Sequence, residues 1–265
     1  MSNVEKFYDQ NAQEEWNRLE HYRIEFQSTL QALTEYLPAA PADLIDIGGG
    51  PGRYAITLAQ RGYRVTLVDM SAGSLELAKQ KAAEAQVKLT AFIHANALDL
   101  SAFPEAAFNA ALLLGPLYHL LKLEERQTAL RQTHRLLKSG GLIFATFITR
   151  FASFRDAAVH GYSYVLDDHA YSERLLATGI NDNGKGFTDA YFFHPDEVIP
   201  LAESGGFTTL RLMGCEGILA GHEDYVNSLT GADHDFWLDI NYRMAQEPSL
   251  LGASDHLLYI GRKDG

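Results

Sequence analysis

The sequence predicts an α/β fold built on a mostly parallel sheet. Three observations carry the prediction. The stretch Asp43-Leu44-Ile45 runs into Asp46-Ile47-Gly48-Gly49-Gly50-Pro51-Gly52, and a helical pattern opens at Arg53. A short buried strand, a glycine-rich turn and a helix make the start of a βαβ unit. Strand-like and helix-like stretches then alternate up to residue 150. Finally, Leu142–Phe147 is a near-continuous apolar run, suited to a parallel strand covered on both faces.

Taken in order, the first 36 residues read as helical, with Phe7, Tyr8, Trp16, Ile24, Phe26 and Leu30 at roughly helical spacing. Leu37-Pro38-Ala39-Ala40-Pro41 ends that segment before the first strand. In the turn, glycine admits positive φ and lets a ligand approach the main chain, while the helix from Arg53 to about Gln60 aims free N–H groups into the same space. The turn therefore predicts a cofactor pocket. A dinucleotide site would need G-x-G-x-x-G, and the glycines at 48, 50 and 52 do not keep that spacing.

The second strand, Arg64–Val68, ends at Asp69, roughly 20 residues past the turn, where a carboxylate accepts from ribose hydroxyls. The competing role for Asp69 is a helix cap, which Ser71 can also supply for a helix over Ala72–Ala85. A third strand spans Leu89–His94 and leads into Asn96-Ala97-Leu98-Asp99-Leu100, with Asp99 read as a turn or cap residue. A fourth, Ala107–Leu114, runs into Gly115-Pro116-Leu117-Tyr118-His119-Leu120. A helix over Glu124–Lys138 is expected to end on Gly140-Gly141 as its C-cap. After the fifth strand, residues 151–190 break the βαβ rhythm. Tyr191–Glu197 then enters a helix ending near Gly205-Gly206, a sixth strand covers Thr208–Met213 and a seventh His256–Gly261.

The register Asp46-x-Gly48-x-Gly50-x-Gly52 resembles motif I of the class I S-adenosylmethionine (SAM) dependent methyltransferases, small-molecule type. Arg135–Leu142 resembles the segment preceding their fifth strand. The resemblance is dense over residues 40–150 and looser over 190–262. It implies a seven-stranded Rossmann-like sheet of order 3-2-1-4-5-7-6, with the seventh strand antiparallel and with helical and aromatic cap insertions. It divides the chain into an N-terminal helical lid (1–40), a SAM-binding core (41–150), cap insertions (151–190 and 215–248) and a C-terminal part of the sheet (191–214 and 249–265). It implies SAM as cofactor and S-adenosylhomocysteine as product.

By the same resemblance, Asp46, Gly48, Gly49, Gly50, Gly52, Asp69, Met70, Asn96, Ala97, Leu98, Leu114 and Gly115 hold the cofactor. Asn96 stands where the family has an aspartate facing the adenine amino group; an amide oxygen can accept from that group too. From the lid, Tyr8, Trp16 and Arg18 are expected near the cofactor, with Arg18 pairing the methionine carboxylate. The alternative is that Tyr8 and Trp16 pack the core and Arg18 lies on the surface. The end of the fourth strand should face the transferable methyl group. There His119 is the candidate base and Tyr118 an orienting group; the alternative for His119 is a structural bond to a backbone carbonyl. His160 and His194 are further candidates from the cap, with His222 a candidate acceptor contact.

The cap insertions are rich in aromatics, which fits an aromatic or apolar small-molecule acceptor and equally fits a cap that needs a core. Net charge is −12, from 22 basic and 34 acidic residues, which argues against duplex nucleic acid as substrate. The lone Cys215 forms no internal disulfide, in keeping with a cytoplasmic setting, and no segment has the length and apolarity of a membrane span. His222-Glu223-Asp224 and Asp233-His234-Asp235 lack metal-ligand spacing and read as solvated surface. The expected activity is methyl transfer to oxygen or nitrogen of a small molecule. The alternatives are a protein of this fold that binds SAM without methylating, and an NAD-linked oxidoreductase.

Overall fold

A computed structural model describes residues 2–182 and 187–264. Met1, Gly265 and the part of the first cap insertion at 183–186 lie outside the described residues. The chain opens with two helices, α1 (Asn3–His21) and α2 (Arg23–Tyr36). Ser2 starts α1 with a capping box: its hydroxyl accepts from the Glu5 N–H and the Glu5 carboxylate accepts from the Ser2 N–H. The chain then alternates through β1 (Asp43–Ile47), α3 (Arg53–Gln60), β2 (Arg64–Asp69), α4 (Ala72–Glu84), β3 (Ala91–His94), β4 (Phe108–Leu113), α5 (Pro116–His119), α6 (Leu123–Leu136) and β5 (Leu137–Ile148). The first insertion carries α7 (Ala152–His160), α8 (Tyr164–Asp167), α9 (His169–Thr178) and the small hairpin of β6 (Ile180–Asn181) and β7 (Ala190–Tyr191). Next come α10 (Pro195–Ser204) and β8 (Phe207–Gly214). The second insertion holds α11 (Glu223–Ser228) and α12 (Gly231–Met244) between two 3-10 turns, and β9 (His256–Lys263) closes the sheet.

The main sheet has seven strands in the order β3-β2-β1-β4-β5-β9-β8. β8 and β9 are the sixth and seventh strands expected from the sequence, so the arrangement is the anticipated one. β1 to β5 pair in parallel, and β9 runs antiparallel between β5 and β8. Both faces are buried, as the continuous apolar runs require. Along β5, Ile143, Ala145 and Phe147 pack into one core cluster, while Leu142 and Phe144 pack into the cluster on the opposite face. Successive side chains of a strand point to opposite faces, so each layer of helices needs its own alternate set.

One boundary differs. Gly140-Gly141 does not cap α6; that helix ends with Leu137 as its C-cap, and β5 begins at the same residue. The glycines sit in an irregular stretch of β5, where pairing with β4 jumps from Phe108–Leu137 to Ala110–Leu142. Gly140 takes φ +74 there, which a side chain would resist. The third strand is also shorter than expected, starting at Ala91 rather than Leu89. No helix among the described residues is long and apolar enough to cross a membrane.

Candidate active site

The parallel strands deliver their loops to one end of the sheet, and a cavity of about 450 Å³ opens there. That volume is in the range of small-molecule sites. The turn after β1 forms one wall. The Gly48 N–H donates to the Val68 carbonyl (2.7 Å), which ties the turn to β2. Gly48 takes φ +68, and a Cβ built on it would sit 2.4 Å from the Pro116 ring. Gly50 takes φ +55, and a Cβ there would find no atom within 4 Å. Its main chain thus lies bare to the cavity. Gly52 does not line the cavity; it precedes α3 with φ +83 and packs against Leu67 and Ala78.

Asp69, at the end of β2, lines the cavity. Its Oδ2 accepts from the Gly50 N–H (2.7 Å) and its Oδ1 from the Ser71 N–H (2.8 Å). The side chain thus braces the glycine turn, and each oxygen keeps a lone pair for a further donor. Burial raises its pKa. Ser71, not Asp69, caps α4, its hydroxyl accepting from Ser74. Asp46 is 1 % exposed, and neither carboxylate oxygen has a hydrogen-bond partner among the described residues. Burial first, and the nearby Asp69 second, push its pKa up to about 7; the Ala55 N–H works against the rise but stands outside hydrogen-bond geometry. A buried carboxylate without a donor is costly, and this one faces the cavity.

Met70, Ala95, Asn96, Ala97, Leu98, Leu114 and Gly115 continue the wall. The Asn96 oxygen accepts from the Leu98 N–H (2.9 Å), so one of its lone pairs shapes the loop. Asp99 is a turn residue, accepting from the N–H and hydroxyl of Ser101.

Helix α1 contributes Tyr8, Glu15 and Arg18 to the cavity wall. Asp9 docks the helix: Oδ1 accepts from the Ser71 hydroxyl (2.6 Å) and the Gly73 N–H (3.0 Å), which lowers the carboxyl pKa. Arg18 reaches the cavity between two carboxylates, donating from Nε to Glu15 (2.9 Å) and from Nη1 to Glu25 of α2 (2.8 Å). Its side chain keeps 29 % of its surface, part of it on the cavity wall. Trp16 is the exception among the expected lid residues. It lies outside the cavity, with the Arg53 guanidinium 5.0 Å and the Lys81 ammonium 5.3 Å from its ring, a cation–π stack that fastens the lid to α3 and α4.

Tyr118 and His119 end the short helix α5, and both line the cavity. The His119 Nδ1 lies 3.2 Å from the Asp189 carbonyl. A carbonyl only accepts, so Nδ1 carries the proton and Nε2 presents a lone pair. That lone pair accepts from the Tyr8 hydroxyl at 2.8 Å. Burial holds the imidazole pKa down to about 4, so the ring is neutral at physiological pH. Tyr8 and His119 are mostly buried and border the cavity, and burial raises the Tyr8 phenol. Tyr118 is buried, with its pKa displaced above the usual phenol range, and its hydroxyl points to the Leu114 carbonyl (3.4 Å).

The cap histidines lie elsewhere. His160 pairs with Asp156 on α7 (3.0 Å), His194 begins α10 by accepting from the Asp196 N–H, and His222 is exposed before α11. None of the three lines the cavity. Sequence reasoning missed Asp9, Glu15, Glu25 and Asp189; the contacts of Asp9, Glu25 and Asp189 join segments distant in sequence or on separate helices. Glu15 alone carried a local signal, its i,i+3 spacing to Arg18.

The site fits SAM on its own features: a bare glycine main chain, a buried carboxylate facing the cavity without a donor, and a strand-end carboxylate with free lone pairs. Comparison with known proteins agrees. Residues 44–141 match the methyltransferase domain family model. The ubiquinone biosynthesis O-methyltransferase of Coxiella burnetii is 27 % identical over 210 residues, covering 78 % of this chain and 81 % of that one. Its counterpart in Chromobacterium violaceum is 26 % identical over 221 residues, covering 81 % and 88 %. A solved SAM-dependent methyltransferase of Thermotoga maritima, described as a possible histamine N-methyltransferase, superposes with a TM-score of 0.63 at 18 % identity, covering 98 % of this chain and 99 % of that one. The strand order and the glycine turn expected of the class I SAM-dependent methyltransferases are thus joined by a methyltransferase domain match over residues 44–141 and by relatives of the same kind, which together support a class I SAM-dependent methyltransferase.

Proposed function

We propose that the chain methylates a hydroxyl oxygen of a small aromatic or apolar acceptor, with His119 as the base. SAM supplies an activated methyl group on a sulfonium. Asp46, the Gly48–Gly50 main chain and Asp69 hold it, Asn96 to Leu98 border the adenine, and Arg18 meets the methionine carboxylate. Tyr8, Tyr118 and His119 surround the acceptor. Naming oxygen follows the relatives, which are O-methyltransferases of ubiquinone biosynthesis.

The observation that carries the reading is the Nε2 lone pair of His119, aimed by the Asp189 carbonyl behind the ring and already accepting from a hydroxyl, that of Tyr8. An acceptor hydroxyl in that place donates its proton to Nε2 as its oxygen takes the methyl and turns acidic. A neutral imidazole also brings no positive charge near a cationic cofactor. The proton then leaves to solvent, and the ring returns to its starting state. The lid holds water out while this occurs.

The test is to screen phenols, catechols and aliphatic alcohols for S-adenosylhomocysteine release, then to compare His119→Ala on the best acceptor. Turnover should fall by about 10²–10⁴-fold with the SAM dissociation constant unchanged. Near-normal turnover would remove His119 as the base, and methylation of amines in preference to hydroxyls would overturn the acceptor class.

A further inference from the structure

Behind Arg18 lies a buried group of side chains that the methyl transfer itself does not use. Glu25 of α2, Glu216 in the turn after β8 and His256 at the start of β9 offer ligand atoms within 4.8 Å of one another. The His256 Nδ1 donates to Glu216 Oε1 at 2.6 Å and stands 3.9 Å from Glu25 Oε2. The second Glu216 oxygen accepts from the His256 N–H and the Ser254 hydroxyl, each at 2.8 Å. Glu216 is therefore fixed on both oxygens and is 2 % exposed. The same Glu25 oxygen that faces His256 accepts from Arg18 Nη1 at 2.8 Å. A row thus runs from β9 to the cavity: Glu216, His256, Glu25, Arg18. Nδ1 is already committed to Glu216, and the two carboxylates beside the ring favour its protonated form, so an imidazolium stands between them at neutral pH.

We propose that His256 is a positioning residue for the cofactor's carboxylate: clamped by Glu216, its imidazolium orients Glu25, and Glu25 presents the Arg18 guanidinium to the cavity. This rests on the reading that Arg18 meets that carboxylate. Arg18 needs such help, since its long side chain is otherwise free to rotate and its other partner, Glu15, sits on the same helix and cannot fix it against the core. The two carboxylates raise the His256 pKa to about 9 against the effect of burial and of Arg18. Charged groups also face this region from the neighbouring elements: Asp255 beside it, bonded to Arg155 of α7, and Glu223 of α11. The raised value means that the clamp is complete below about pH 9 and fails as pH rises through it.

The experiment compares two ligands by calorimetry. S-adenosylhomocysteine carries the amino-acid carboxylate; 5′-methylthioadenosine has the same adenosyl part without it. In His256→Gln at neutral pH, affinity for S-adenosylhomocysteine should fall about tenfold and that for methylthioadenosine by less than about twofold. The wild-type advantage over the variant should vanish above about pH 9; taking the ratio cancels the ligand's own amine titration. Glu216→Gln, read the same way if His256→Gln folds poorly, should show that selective loss at a lower pH than the wild type. Equal loss for both ligands, or none for either, overturns the proposal. Arg18→Gln separates the two ideas. Selective loss there but not in His256→Gln refutes the positioning role alone, while no selective loss in Arg18→Gln refutes the carboxylate contact and the proposal with it.

Discussion

Asp46 and Asp69 come from adjacent strands, and their charges repel across the glycine turn between them. In the ligand-free protein Asp46 meets this by holding its proton up to about pH 7. The unfolded chain ionises it near pH 3.8, so the penalty of its burial grows from there and is complete above pH 7. Asp46→Asn should therefore stabilise the ligand-free protein at pH 8, on the order of 1–3 kcal/mol, and by much less at pH 5. Denaturant melts at the two pH values check this; an equal gain at both would show that charge is not the cause. The same variant should bind SAM more weakly, having lost the carboxylate that a cation would satisfy. Asp69→Ala should abolish SAM binding while leaving far-UV circular dichroism unchanged; retained micromolar affinity would contradict the assignment. Asp69 was legible because its place follows from counting along one βαβ unit. Glu25 and Asp9 were not, because their importance comes from meeting a residue on another element, and nothing local in the chain encodes that meeting.

Among the elements, α1 is the one whose stability is most plainly separate from the sheet. It is held by Asp9 on the N-terminus of α4, by Tyr8 on His119 and by Trp16 between Arg53 and Lys81. A carboxylate that accepts from a helix N-terminus contributes about 1 kcal/mol or more. Asp9→Ala should speed hydrogen exchange across residues 3–21 several-fold and leave β1, β4 and β5 protected; uniform acceleration would mean that the lid is not an independent unit. The sequence revealed this helix by its apolar spacing, and Trp16 illustrates what spacing omits. An aromatic on a lid helix has two faces to choose from, and cation–π contacts with two basic neighbours placed it on the outer one. Gly140-Gly141 shows the same at an element boundary. A glycine pair after a helix resembles a cap, but here Leu136 already ends the helix and the pair serves an irregular strand.

At the scale of the molecule, both core layers were readable, since parallel strands covered on both sides must be apolar throughout, and the sheet order followed from the family resemblance. The sequence expects the cap insertions to build the acceptor pocket; of their aromatics, Tyr171 is buried in the core, Phe187 packs 5.4 Å from the His119 ring, and Tyr162, Tyr225 and Phe236 are exposed, while His160 and His222 stand away from the cavity. Accordingly His160→Ala and His222→Ala should leave SAM affinity and turnover within about twofold of the wild type; a tenfold loss in either would bring the cap into the site. SAM should also raise the melting temperature with the logarithm of its concentration.

The mixture of charges around the chamber governs how product leaves. Asp46, Asp69, Glu15, Glu25, Glu125 and Asp189 outnumber Arg18, Arg53 and Lys122 on its walls. The incoming reagent carries one more positive charge than the thioether it becomes, so methyl donation discharges the very attraction that recruited it. Spent cofactor is thereby easier to evict than fresh cofactor is to admit, and self-poisoning by the by-product should ease as alkalinity strips the last proton from the chamber floor.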